Sequence, residues 1–130
     1  MKYVLMIHSN PQPWGHPTSH FLAAHKNLTD EQRKRLNDDF EQTITELVEN
    51  GQLVAGEALG DPKEATLHRW RDDEPLAVDR PYSETKEHLA GFFVIDVESR
   101  ERAEQVADKF AGPGETVELR AIMGSAGDEQ

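Results

Sequence analysis

Two stretches of the chain carry apolar residues at helical spacing. Leu36, Phe40, Ile44, Leu47 and Val48 recur at intervals of three and four and predict an amphipathic helix. Thr29 followed by Gln32 has the form of a capping box at its start, and Asn50-Gly51 supplies a stop, since glycine takes the left-handed cap without steric cost. Farther on, Ala103, Val106, Ala107 and Phe110 form one stripe behind Ser99, a good N-cap, and ahead of Gly112.

The strand signals differ in kind. Residues 3–7 are a continuous apolar run, and residues 91–97 place Phe92, Phe93, Val94, Ile95 and Val97 on both faces, the pattern of strands covered on both sides. Residues 53–59 and 116–123 read as further strands. Residues 65–71 alternate, with Thr66, His68 and Trp70 on one face, and the turn Asp72-Asp73-Glu74-Pro75 leads back through Leu76 to Val78, which predicts a hairpin. Between the first strand and the first long helix, residues 10–17 hold three prolines and a glycine around Trp14 and read as an irregular loop, with a short helix expected over residues 18–26.

Strands and helices in this order predict an α+β domain of ferredoxin-like type, an antiparallel sheet with both long helices on one face. Two helices cover one face only. The opposite face, also apolar, is expected to be covered by a second copy, giving a homodimer of the dimeric α/β-barrel kind. At 130 residues the chain suits one domain, residues 1–124, with residues 125–130 as a flexible tail.

Composition narrows the partners. A formal net charge of -11 repels phosphate backbones and anionic lipid, so neither nucleic acid nor a membrane is expected. Arg33, Lys34 and Arg35 sit among acids and read as a solvated helix face. Without cysteine there is no thiolate nucleophile and no Cys-ligated metal. The first apolar run is too short for a leader's apolar region or a membrane span, which makes a cytoplasmic location the expectation. No Gly-rich phosphate loop or Rossmann fingerprint is present, so no cofactor is expected.

At Asp79-Arg80-Pro81-Tyr82, continued by Ser83-Glu84-Thr85-Lys86-Glu87 and Leu89-Ala90-Gly91-Phe92-Phe93-Val94-Ile95-Asp96-Val97, the chain resembles the YCII-related family in its Asp-Gly-Pro-Phe branch. The opening Met1 to Leu5, the helix start Leu28 to Arg33, the run Leu53 to Leu59 and the closing Val117 to Arg120 fall in the family's order. Arg80 and Tyr82 stand where the branch has glycine and phenylalanine. The resemblance implies a ferredoxin-like fold, a dimer and a small cofactor-free protein. It also implies acid–base chemistry, since a histidine and an aspartate are proposed as a catalytic pair in the wider family and one relative is a dehydrochlorinase of chlorinated hydroxyquinols. Other branch members are linked to extracytoplasmic-function sigma factors.

His68 and Asp79 are the His/Asp pair that the predicted hairpin could bring together, and a proton shuttle near neutral pH needs such groups. Arg69 would offer an anion contact, Tyr82 a hydroxyl, and His8, at the end of the first strand, a further substrate contact. The bland reading makes Asp79 a turn cap and His68 a satisfied strand side chain. His16, His20 and His25 lack neighbouring carboxylates, so no metal site is expected and the three are read as solvated. Asp96 is expected to accept backbone bonds at a strand-to-helix turn. On these residues the chain is expected to be either a lyase or isomerase acting on a small polar molecule or, alternatively, a non-catalytic ligand-binding or accessory dimer.

Overall fold

A computed structural model describes residues 1–79 and 86–124. The loop carrying Arg80 and Tyr82 and the tail at 125–130 lie outside the described residues, as do the side chains of His20 and Asp79.

Strand β1 (Lys2–Ser9) leads through residues 10–28 to helix α1 (Asp30–Glu49). Strand β2 (Leu53–Ala58), a ribbon of β3 (Thr66–Arg71) and β4 (Glu74–Asp79), strand β5 (His88–Asp96), helix α2 (Arg100–Phe110) and strand β6 (Thr116–Ala121) follow. Four strands form an antiparallel sheet in the order β2-β5-β1-β6, with the first and third crossings made by α1 and α2, the ferredoxin-like α+β arrangement.

Local chemistry sets the helix limits. The Thr29 hydroxyl accepts from the Gln32 amide at 3.0 Å while the Gln32 side chain accepts from the Thr29 amide at 2.8 Å, so two of the otherwise orphaned donors of α1 are satisfied. Gly51 follows the helix at φ 68°, as the sequence predicts. For α2, Ser99 Oγ accepts from the Arg102 amide at 3.1 Å. That helix ends at Phe110, ahead of Gly112.

The core lies between the helices and one sheet face. Tyr3, Leu5, Ile95, Leu47, Ala103, Val106 and Phe110 are buried together, and complete burial of a side chain the size of Leu47 or Ile95 stabilises by about 1.5–3 kcal/mol. Strand alternation places Val4, Met6, Phe92 and Val94 on the opposite face, where they are half-buried in the single chain. Gly91 has a packing role: a Cβ there would stand 2.8 Å from the Glu57 carbonyl oxygen, so only glycine lets β5 and β2 approach this closely.

Three expectations change. The hairpin forms, with Asp72 and Asp73 at positive φ in a tight turn, but it is a separate two-stranded ribbon and extends no strand of the main sheet. The helix expected over residues 18–26 is instead two 3₁₀ turns, Thr18–Phe21 and Ala23–Asn27, because Leu22 between them is extended. Asp96 accepts not from a nearby turn but from the N-terminal ammonium of Met1 at 2.9 Å, since β1 and β5 are antiparallel and pair the start of one with the end of the other.

Candidate functional site

A cavity of about 340 Å³ opens between the helices and the sheet. Its floor includes Gly56, against which the Phe93 ring packs, and Gly91, which lies close to the Glu57 carbonyl, and its walls include Leu36 and Phe40 of α1 and Phe110 of α2. Phe40, Phe93 and Phe110 form a ring cluster, with centroids 5.0 Å apart for the two pairs made by Phe110 and 6.1 Å for Phe40 and Phe93. Tilted and edge-on rings of this kind suit a planar apolar guest.

Residues 10–28 contribute His16, Thr18 and His25 to the cavity lining. Their anchors are side-chain bonds to distant segments, because a Pro-rich run lacks the backbone donors to build a regular element. Trp14 Nε1 and His16 Nε2 both donate to the Leu59 carbonyl, at 3.1 and 2.7 Å. On the other side, the Thr18 hydroxyl donates to Glu115 Oε2 at 2.7 Å and His25 Nε2 donates to the Pro113 carbonyl at 2.8 Å.

Those last two bonds define the site's electrostatics. His25 is only 5% exposed, and because a carbonyl can only accept, the bond to Pro113 fixes a proton on Nε2. Burial pushes the Glu115 carboxyl above the ordinary glutamate range, while the Thr18 hydroxyl and the charge of His25 pull the other way. A carboxyl and an imidazole thus both line an apolar, aromatic-walled cavity, an arrangement able to bind a small molecule and to exchange a proton with it.

The residues singled out from sequence fall elsewhere. His68 is exposed on the ribbon, with Nε2 3.3 Å from Thr66 Oγ1. The register sets His68 opposite Ala77 and Asp79 opposite Thr66, so His68 and Asp79 occupy diagonal positions of one ribbon face. Arg69 is opposite Leu76 and is also exposed. Neither His68 nor Arg69 lines the cavity. Tyr82 lies outside the described residues. His8 is on the sheet face away from the helices, its Nε2 3.2 Å from Glu118 Oε1.

One reading is corrected outright. His25 is not solvated but buried, and His16 lines the same cavity, because the 3₁₀ turns fold the histidine-bearing segment back over the sheet. Among the described residues no three metal-ligating side chains converge. Glu115 and Thr18 were not anticipated at all. The available signal was the company they keep: Trp14 and His25 in a proline-rich run that a plain surface loop would not need, and an acid between Gly114 and the apolar start of β6.

The YCII-related domain model matches residues 1–123, and the chain belongs to that family. A comparison with curated proteins gives no match. Among the described residues, no helix is long and apolar enough to cross a membrane.

Proposed function

We propose that this YCII-related protein is a small-molecule lyase or isomerase that works by proton transfer in the cavity under its helices, with Glu115 and His25 as the exchanging groups and Thr18 positioning Glu115. One observation carries this reading: a buried His25 and a half-buried Glu115 both line an apolar cavity, and each is tied by a hydrogen bond to a neighbouring segment. Isomerisation and elimination both need a base that takes a proton from the substrate and an acid that returns one to the product or leaving group. A carboxyl raised by burial and an imidazole with one free nitrogen supply the two roles without an electron acceptor.

The test is a thermal-shift screen of small aromatic and polar compounds on the wild type, on Leu36→Trp, which fills the cavity, and on His68→Ala. Binding to the native state raises its apparent stability whatever the chemistry. Shifts are expected to vanish in Leu36→Trp and to persist in His68→Ala. For any hit that is turned over, Glu115→Gln is expected to slow turnover by roughly 10²-fold or more. A hit bound but never converted would favour the non-catalytic reading.

A second reading keeps His68 and Asp79 as the proton-transfer pair, with Arg69, Tyr82 and His8 as substrate contacts. It is favoured by the ribbon register, which sets Asp79 opposite Thr66, the residue whose hydroxyl meets His68. Membership of the Asp-Gly-Pro-Phe branch belongs with it, since it rests on the sequence from Asp79 onward. Shifts lost in His68→Ala and kept in Leu36→Trp would move the site to the ribbon.

The working form in either reading is a cytoplasmic homodimer joined through the open sheet face. Val4, Met6, Phe92 and Val94 present a half-buried apolar stripe there, flanked by the His8–Glu118 pair. Light scattering is expected to give twice the chain mass, and Val94→Lys to give the monomer.

A further inference from the structure

We infer that the cavity takes a small aromatic carboxylic acid, its ring against Phe40, Phe93 and Phe110 and its carboxylate at Lys109 and Asn37. This presupposes the proposed cavity site and names its ligand class. The volume, about 340 Å³, lies at the lower end of the range of roughly 300–1,000 Å³ for small-molecule sites, and the three rings supply faces and edges for a single planar group.

The choice of charge comes from Lys109. Three helix cations meet an acid three or four positions away, Arg33 with Asp30, Lys34 with Asp38 and Arg100 with Glu104, and of the helix cations that make no ion pair among the described residues only Lys109 lines the cavity. Lys109 has Gln105 and Val106 before it and Gly112 and Pro113 after it at those spacings, so its own helix offers no counter-ion. It lines the cavity and has no ion-pair partner among the described residues, in a chain of net charge -11. Asn37 lines the cavity from α1, and its amide likewise makes no hydrogen bond among the described residues. An ammonium and an amide donor on opposite helices suit a carboxylate laid between them. Glu115, by contrast, already holds the Thr18 hydroxyl and faces the charge of His25. It is left to meet a proton rather than to anchor the ligand.

Three probes sharing one ring separate the alternatives: benzoate, benzyl alcohol and benzylamine, titrated calorimetrically into the full chain at millimolar concentration. Benzoate is expected to bind tightest. Lys109→Gln should weaken benzoate by roughly three- to tenfold, the size of one solvent-accessible charge-assisted contact, and leave benzyl alcohol unchanged; Asn37→Ala should act in the same direction. Tightest binding by benzylamine, or benzoate affinity indifferent to both variants, would overturn the carboxylate while leaving the cavity as a ring-binding site. Binding by none of the three probes would overturn the ligand class and the cavity reading with it.

Discussion

The cavity and the β3–β4 ribbon hold similar side chains and use them differently. Each offers histidine, a carboxylate, aromatic rings and a cation. In the cavity, His25, Thr18 and His16 bond to residues at least 43 positions away in sequence, so the fold itself fixes them. On the ribbon, His68 meets Thr66 two residues away, and Trp70 is 70% exposed. Residue type alone therefore does not locate chemistry. A proton-exchanging group needs long-range anchoring, to hold its geometry, and loss of water, to move its pKa.

The largest expected contrast is in packing. Phe110 is 3% exposed and touches both Phe40 and Phe93, so Phe110→Ala should cost about 3–5 kcal/mol through lost burial and the void left behind. Trp70→Ala should stay within about 0.5 kcal/mol, as for an exposed side chain away from special contacts. Urea unfolding of the two variants measures both. A large cost at Trp70 would break the comparison, because it would mean that the ribbon packs against something, and a second copy would be the first candidate.

Histidine gives the next contrast. His25→Ala removes the donor to the Pro113 carbonyl from a buried position and should cost roughly 1–3 kcal/mol. His68→Ala should lie within about 0.5 kcal/mol of wild type. The same denaturation experiment decides it, and equal costs would mean that the ribbon is as firmly held as the cavity.

How far these two regions were legible in sequence follows from how each is built. The helices, their caps and the strand runs are local patterns: Thr29 and Gln32 are three residues apart, and the stripe ending at Phe110 spans two turns. The hairpin was also legible, from alternation and an Asp-Asp turn, though not its separation from the sheet, which depends on where β5 finds its partners. The cavity was not legible. Thr18 and Glu115 lie 97 positions apart and His25 and Pro113 lie 88 apart, joined by single bonds that no periodicity encodes. Asp96 and the N-terminus meet across 95 positions for the same reason. The ribbon is legible because its pattern is local, two short strands about an Asp-Asp turn.

The smallest effect bears most directly on chemistry. Burial raises the Glu115 pKa in the folded chain above its unfolded value, so the folded state keeps a proton over a pH window in which the unfolded chain has already lost it. Folding stability must then fall as pH rises from the ordinary glutamate value through the raised one, and level off above it. Gln at this position has no proton to lose, and its amide oxygen can still accept from the Thr18 hydroxyl. Glu115→Gln should therefore lack this downward step, gaining on the wild type as pH rises through the window and holding that gain above it. Because the charge of His25 is one of the two effects opposing burial, His25→Ala should widen the window, whereas His68→Ala should leave it where it is. Stability curves at a series of pH values read the sign directly. Parallel curves for wild type and Glu115→Gln would mean that Glu115 is solvated after all, and the distinction between cavity and ribbon would lose its electrostatic half.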